Sequence, residues 1–93
     1  MSENADLMLS SMTPGTITRI DYFRFWSFKA QRPDIAARWE EEVKAMGVDL
    51  DTARSIYVDG LTVIGIEVYE MDDSGKVVVA GTEPVTYLVG RME

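Results

Sequence analysis

The chemistry open to this chain is narrow, because its sequence holds no cysteine and no histidine. Thiolate nucleophiles, disulfides, iron–sulfur clusters and cysteine zinc sites are excluded, as are the commonest general base and the commonest transition-metal ligand. Acid–base work could be assembled only from Asp21, Tyr22, Arg24, Tyr57, Glu67, Tyr69 and Tyr87. Tyrosine and arginine titrate far above neutrality, so a base would have to be a carboxylate raised by burial, with Asp21 and Glu67 as the candidates. No glycine-rich phosphate loop and no nucleophile elbow is present.

Two acidic groupings invite a metal reading and fail it. Glu40, Glu41 and Glu42 are consecutive, and consecutive helix positions diverge by about 100°, so three such carboxylates do not converge on one ion. Asp49, Asp51, Asp72 and Asp73 are turn carboxylates without the glycine and terminal glutamate spacing of a calcium loop. No catalytic residue, metal or cofactor is expected.

Aromatic residues offer more. Tyr22, Phe23, Phe25, Trp26, Phe28 and Trp39 form a large cluster for a chain of 93 residues. Such side chains build cores, but they are also enriched at interfaces and ligand sites. The expected contact anchors are Tyr22, Phe25, Trp26 and Trp39, with Arg24 at their rim.

Nine Lys and Arg against sixteen Asp and Glu leave a formal net charge of −7. That balance disfavours phosphate backbones and anionic membranes, whose binding rests on clustered cations. The N-terminus is acidic where a secretion signal is basic, and no run approaches the ~20 apolar residues of a membrane span, so a cytoplasmic protein is expected. With 46% hydrophobic and 27% charged residues, the composition is that of one folded domain.

Residues 1–15 are expected to be a flexible tail or a strap laid on the domain of 16–93. Residues 16–28 are rich in β-branched and aromatic types and read as a strand with apolar groups on both faces. The alternative, a helix, would spread apolar groups around its whole circumference, which suits few surface helices. Residues 33–46 are a clear amphipathic helix: Pro33 suits the first turn, Asp34 complements the dipole, and Ile35, Ala36, Trp39, Val43 and Met46 share a stripe before Gly47. Four strands follow at 55–58, 61–71, 76–80 and 85–89, turning at Asp59-Gly60, Asp72–Gly75 and Gly81–Pro84. Gly65 marks a bend, a bulge or a close contact within the second of them.

The expected fold is therefore α+β, one main helix packed on an antiparallel meander sheet, in the strand–helix–four-strand order of a cystatin-like or nuclear-transport-factor-like roll. A ferredoxin-like dimeric α+β barrel, or two N-terminal helices plus a meander, are the alternatives. Lys76–Gly81 contains a Val-Val-Ala-Gly string similar to the inhibitory hairpin of cystatins. Val77 stands where that family has its diagnostic glutamine, and the later Pro-Trp pair is absent, so the family is not assigned.

The functional expectation is a small acidic non-catalytic binding module. It would act through an apolar aromatic face, as a homodimer or as an accessory subunit of a protein assembly. A small-molecule carrier or cofactor-free enzyme with a pocket inside the roll is the second reading. An acidic inhibitor of a basic nucleic-acid-binding enzyme, of the kind phages encode, is the third.

Overall fold

The computed structural model describes residues 4–90. Its elements run α1 (Ala5–Ser10), β1 (Ile17–Asp21), α2 (Tyr22–Gln31), α3 (Pro33–Ala45), a short 3-10 turn (Leu50–Thr52), β2 (Ala53–Asp59), β3 (Thr62–Tyr69), β4 (Val79–Ala80), β5 (Glu83–Pro84) and β6 (Thr86–Gly90). The class is α+β, and the strand–helix–strands order is present. The main sheet is antiparallel in the order β1-β2-β3-β6.

Two details differ from the sequence reading. Residues 16–28 are not one strand: the strand stops at Asp21 and Tyr22 opens a helix. Spacing explains the switch, since Tyr22, Phe25 and Phe28 recur every three residues and Phe25 and Phe28 are the two that α2 buries. Ile17 to Asp21 alone supply the strand. Two helices therefore cover the sheet rather than one main helix. The stretch 76–80 also stays out of the main sheet. Val79–Ala80 pairs with Glu83–Pro84 in a small hairpin, and Val77 makes a single bridge back to Met71. The Asp72 carboxylate draws this arm back on itself, with Oδ1 accepting from the Ser74 N–H at 2.9 Å and the Lys76 N–H at 3.0 Å.

At the end of α3, the N–H groups of Gly47 and Val48 close onto the carbonyls of Lys44 and Val43, which ends the helix as its sequence predicts. The β2–β3 hairpin turns through Gly60 and Leu61, one residue beyond the expected Asp59-Gly60, with Gly60 at a φ of 59° in the first central position.

The core lies between the helices and one sheet face. Ile20, Ile56, Val58, Val63, Ile66 and Val68 meet Phe25, Phe28, Ala36, Trp39 and Val43 there. Phe28 stacks on Trp39 with ring centroids 4.7 Å apart. The Trp39 Nε1–H donates to the Leu61 carbonyl at 2.9 Å, and Glu42 accepts the Val63 N–H at 2.9 Å, so α3 is tied to the hairpin as well as packed on it. Residues 5–12 lie on the domain as a strap, with Ala5, Met8 and Met12 in the core. Gln31 accepts the Ala5 N–H, and Asp6 pairs with Arg32, holding the strap to the α2–α3 junction.

Candidate functional site

The five residues singled out by sequence divide between the interior and the surface. Phe25 and Trp39 are buried, so they are not contact anchors; they support α2 and α3 from beneath. Arg24 is half-buried, its guanidinium reaching the Arg19 carbonyl at 3.3 Å and the Met8 sulfur at 3.7 Å. Tyr22 is also half-buried and donates its hydroxyl proton to Asp51 at 3.2 Å. Trp26 is 42% exposed.

Beside Trp26 stands a member of the aromatic cluster that the sequence does not single out as an anchor. Phe23 is 85% exposed, the most open large apolar side chain among the described residues. Phe23, Trp26 and Ala30, all exposed, fall at i, i+3 and i+7 and form one apolar stripe along the outer side of α2. The signal that would have found Phe23 is this helical spacing, which a strand assignment conceals.

The stripe is ordered by its neighbours. Trp26 meets Tyr22 edge-on at 5.8 Å and Phe25 edge-on at 6.0 Å. The Lys29 ammonium sits 4.7 Å from the centre of the Trp26 ring while pairing with Glu40 at 3.2 Å. α2 carries Arg24 and Lys29 and no acid, in a chain whose net charge is −7. Where α2 meets α3, Arg32 pairs with both Asp34 and Asp6; its hydrogen bonds hold the Asp34 carboxyl down at about 2.

The acid–base candidates gather elsewhere, on the sheet face that no helix covers. Alternation along the strands places Arg19, Asp21, Ser55, Tyr57, Glu67, Tyr69 and Thr86 on that side. Tyr87 takes the opposite face, and Tyr22 and Arg24 belong to α2. Glu67 is the centre of the group. It accepts from the Ser55 hydroxyl at 2.9 Å and the Thr86 hydroxyl at 2.9 Å, with Arg19 at 3.4 Å and Arg54 at 3.9 Å. A bulge at Arg54, where the register shifts between Ala53 and Ser55, turns that guanidinium towards the carboxylate.

Partial burial alone would raise the Glu67 carboxyl, but the Thr86 and Ser55 hydroxyls, Arg19 and Arg54 outweigh it and hold it below its ordinary value. The shift is opposite to that of a general base working near neutrality, and Glu67 braces the sheet by joining β3 to β1, β2 and β6. Asp21 caps α2 without using its side chain, and its Oδ1 is buried without a hydrogen-bond partner.

Two of the three helix glutamates are engaged: Glu40 with Lys29, and Glu42 with Arg38 and the Val63 N–H. Among the described residues no group of three or more acidic side chains is placed to hold a metal ion, and no helix is long and apolar enough to cross a membrane. Inside the roll, Phe25, Phe28 and Trp39 fill the space between helices and sheet. An open cleft of about 540 Å³ lies at its end, between the last turn of α3 and the β3–β6 pair, lined by Ala45, Met46, Val63, Ile64 and Val89 among others. No protein-family model, no curated protein and no solved structure matches this chain.

Proposed function

We propose that this protein is a non-catalytic binding module that docks on another protein through the outer face of α2. Phe23 and Trp26 are its anchors, with Tyr22 beside them and Arg24 and Lys29 at the rim. The observation that carries the reading is the exposure of Phe23 beside Trp26 on a helix whose other two phenylalanines are buried. Leaving a phenylalanine in water forgoes about 1.5–3 kcal/mol of burial. A partner groove that takes the i, i+3, i+7 stripe recovers that free energy on association, in the manner of an amphipathic helix seated in a groove. Aromatic side chains already fixed by their neighbours lose little freedom on binding, which is why they dominate interface energetics. The Glu67 carboxyl, held below its ordinary value by its four donors, is poorly suited to act as a general base near neutrality.

The test is site-specific photo-crosslinking in an extract of the source cell, with a benzophenone amino acid at position 23 and, as control, at Ile17, which is also exposed but lies on β1. The expected result is one discrete crosslinked protein from position 23, absent from position 17 and lost when Trp26→Ala is added. Equal products from both positions, a product insensitive to Trp26→Ala, or no product would contradict the reading.

A further inference from the structure

The main sheet has two open edges, and they are built differently. β1 carries Arg19 and Asp21, the charged side chains that ordinarily keep an edge from pairing with another chain. β6 has no such guard: residues 84–90, Pro-Val-Thr-Tyr-Leu-Val-Gly, contain no charge, although 27% of the chain is charged. We infer that β6 is the surface through which this protein pairs with a second copy of itself, antiparallel and about a two-fold axis at Leu88.

The backbone supports this register. The Glu70 N–H donates to the Val85 carbonyl at 2.9 Å, which fixes the alternation along the following strand. Tyr87 and Val89 direct their backbone groups to β3, while Thr86, Leu88 and Gly90 direct theirs away from the sheet. Antiparallel pairing centred on Leu88 joins those outward groups: Leu88 faces its own copy, and Thr86 faces Gly90. Side chains match as well. Leu88, 56% exposed, meets Leu88 on the uncovered sheet face. Tyr87, 52% exposed, is carried to the helix side of the partner, next to Val89 and the mouth of the 540 Å³ cleft. One movement pairs the free edge and begins to fill the cleft.

Charge and area set the character of the pair. Each copy carries −7, so two copies repel, and the strip of residues 84–90 adds no like charge at the contact. A five-residue ladder with two half-exposed large side chains falls well short of the ~800 Å² per partner of a standard interface. The dimer is therefore in exchange with monomer, and salt strengthens it by screening the like charges.

Sedimentation of the full chain from about 10 μM to 1 mM, at low and high salt, tests the inference. The expected mass rises from monomer to dimer with concentration, and further with salt. Leu88→Lys, which sets two like charges opposite one another, is expected to weaken self-association at least ~10-fold. Because the chain has no cysteine, Leu88→Cys supplies a second test that is independent of that variant's folding. Residues directly opposed in antiparallel strands lie about 4.5–5.5 Å apart at Cα, within disulfide reach. Oxidation should give a covalent dimer from Leu88→Cys and none from Ile17→Cys. A chain that stays monomeric throughout, a dimer that survives Leu88→Lys or is lost in Phe23→Ala, or equal crosslinking from both cysteine variants would overturn the inference. None of these outcomes bears on the α2 docking surface except loss of the dimer in Phe23→Ala, which would assign self-association to α2.

Discussion

The two long helices meet end to end at Arg32 and Pro33, and they use their aromatic residues in opposite ways. α3 places Trp39 at 0% exposure, satisfies its indole N–H on Leu61, and presents Asp34, Arg38, Glu41 and Lys44 to water. α2 buries Phe25 and Phe28 but leaves Phe23, Trp26 and Ala30 outside. The core is thus closed without the outer side of α2. Aromatic residues beyond what the core consumes are the feature a folding requirement does not explain.

The largest effect is expected at Trp39. Trp39→Ala removes the ring that Phe25 and Phe28 pack against and leaves the Leu61 carbonyl unpaired, for an expected loss of about 3–5 kcal/mol. For a domain of this size that is most of the total stability, and urea unfolding should show a chain at or near its midpoint in water.

The uncovered sheet face gives an intermediate case. Glu67→Gln keeps the shape but removes the charge that four donors surround, with an expected cost of about 1–2 kcal/mol at neutral pH. Because the folded Glu67 titrates below the 4.5 of the free group, its stabilisation is present above that pH and is lost as pH falls through the lower folded value. The difference between wild type and Glu67→Gln, followed by thermal unfolding, should therefore narrow below about pH 4.5. A constant difference would remove the ionised carboxylate as its cause.

Trp26 sits at the margin of the comparison. Its edge contacts with Tyr22 and Phe25 and the Lys29 ammonium give it some hold on the fold, so Trp26→Ala is expected to cost about 1 kcal/mol in unfolding. Its effect on the crosslinked product at position 23 should be far larger. A loss of stability matching that of Trp39→Ala would place Trp26 in the core.

Much of the fold was legible because its signals were local. The α3 stripe with its bounding Pro33 and Gly47, and the Asp59-Gly60 hairpin, each carry their geometry within a few residues. The disturbance expected at Gly65 is present too, as a register shift beside it and a close approach of Gly90, where an added Cβ would meet the Gly65 Cα at 2.8 Å. α2 was lost because β-branched and aromatic propensities outweighed the three-residue spacing of Tyr22, Phe25 and Phe28. The objection to a helix there, apolar groups on every side, describes what α2 is. That same feature marks the candidate site. Composition does not show which aromatics point inward, so it cannot tell the buried Phe25 and Trp39 from the exposed Phe23. The contrast between the sheet edges was equally hidden, since it depends on which strands are terminal and which backbone groups of β6 face outward.

The most direct measurement compares two phenylalanines five positions apart on one helix, Phe23→Ala and Phe28→Ala, by urea unfolding at neutral pH. The expected result is a loss within about 0.5 kcal/mol for Phe23→Ala and of about 3 kcal/mol or more for Phe28→Ala. Comparable losses in the two variants would mean that the outer side of α2 belongs to the folded core, and the claim that it is reserved for a partner would fail.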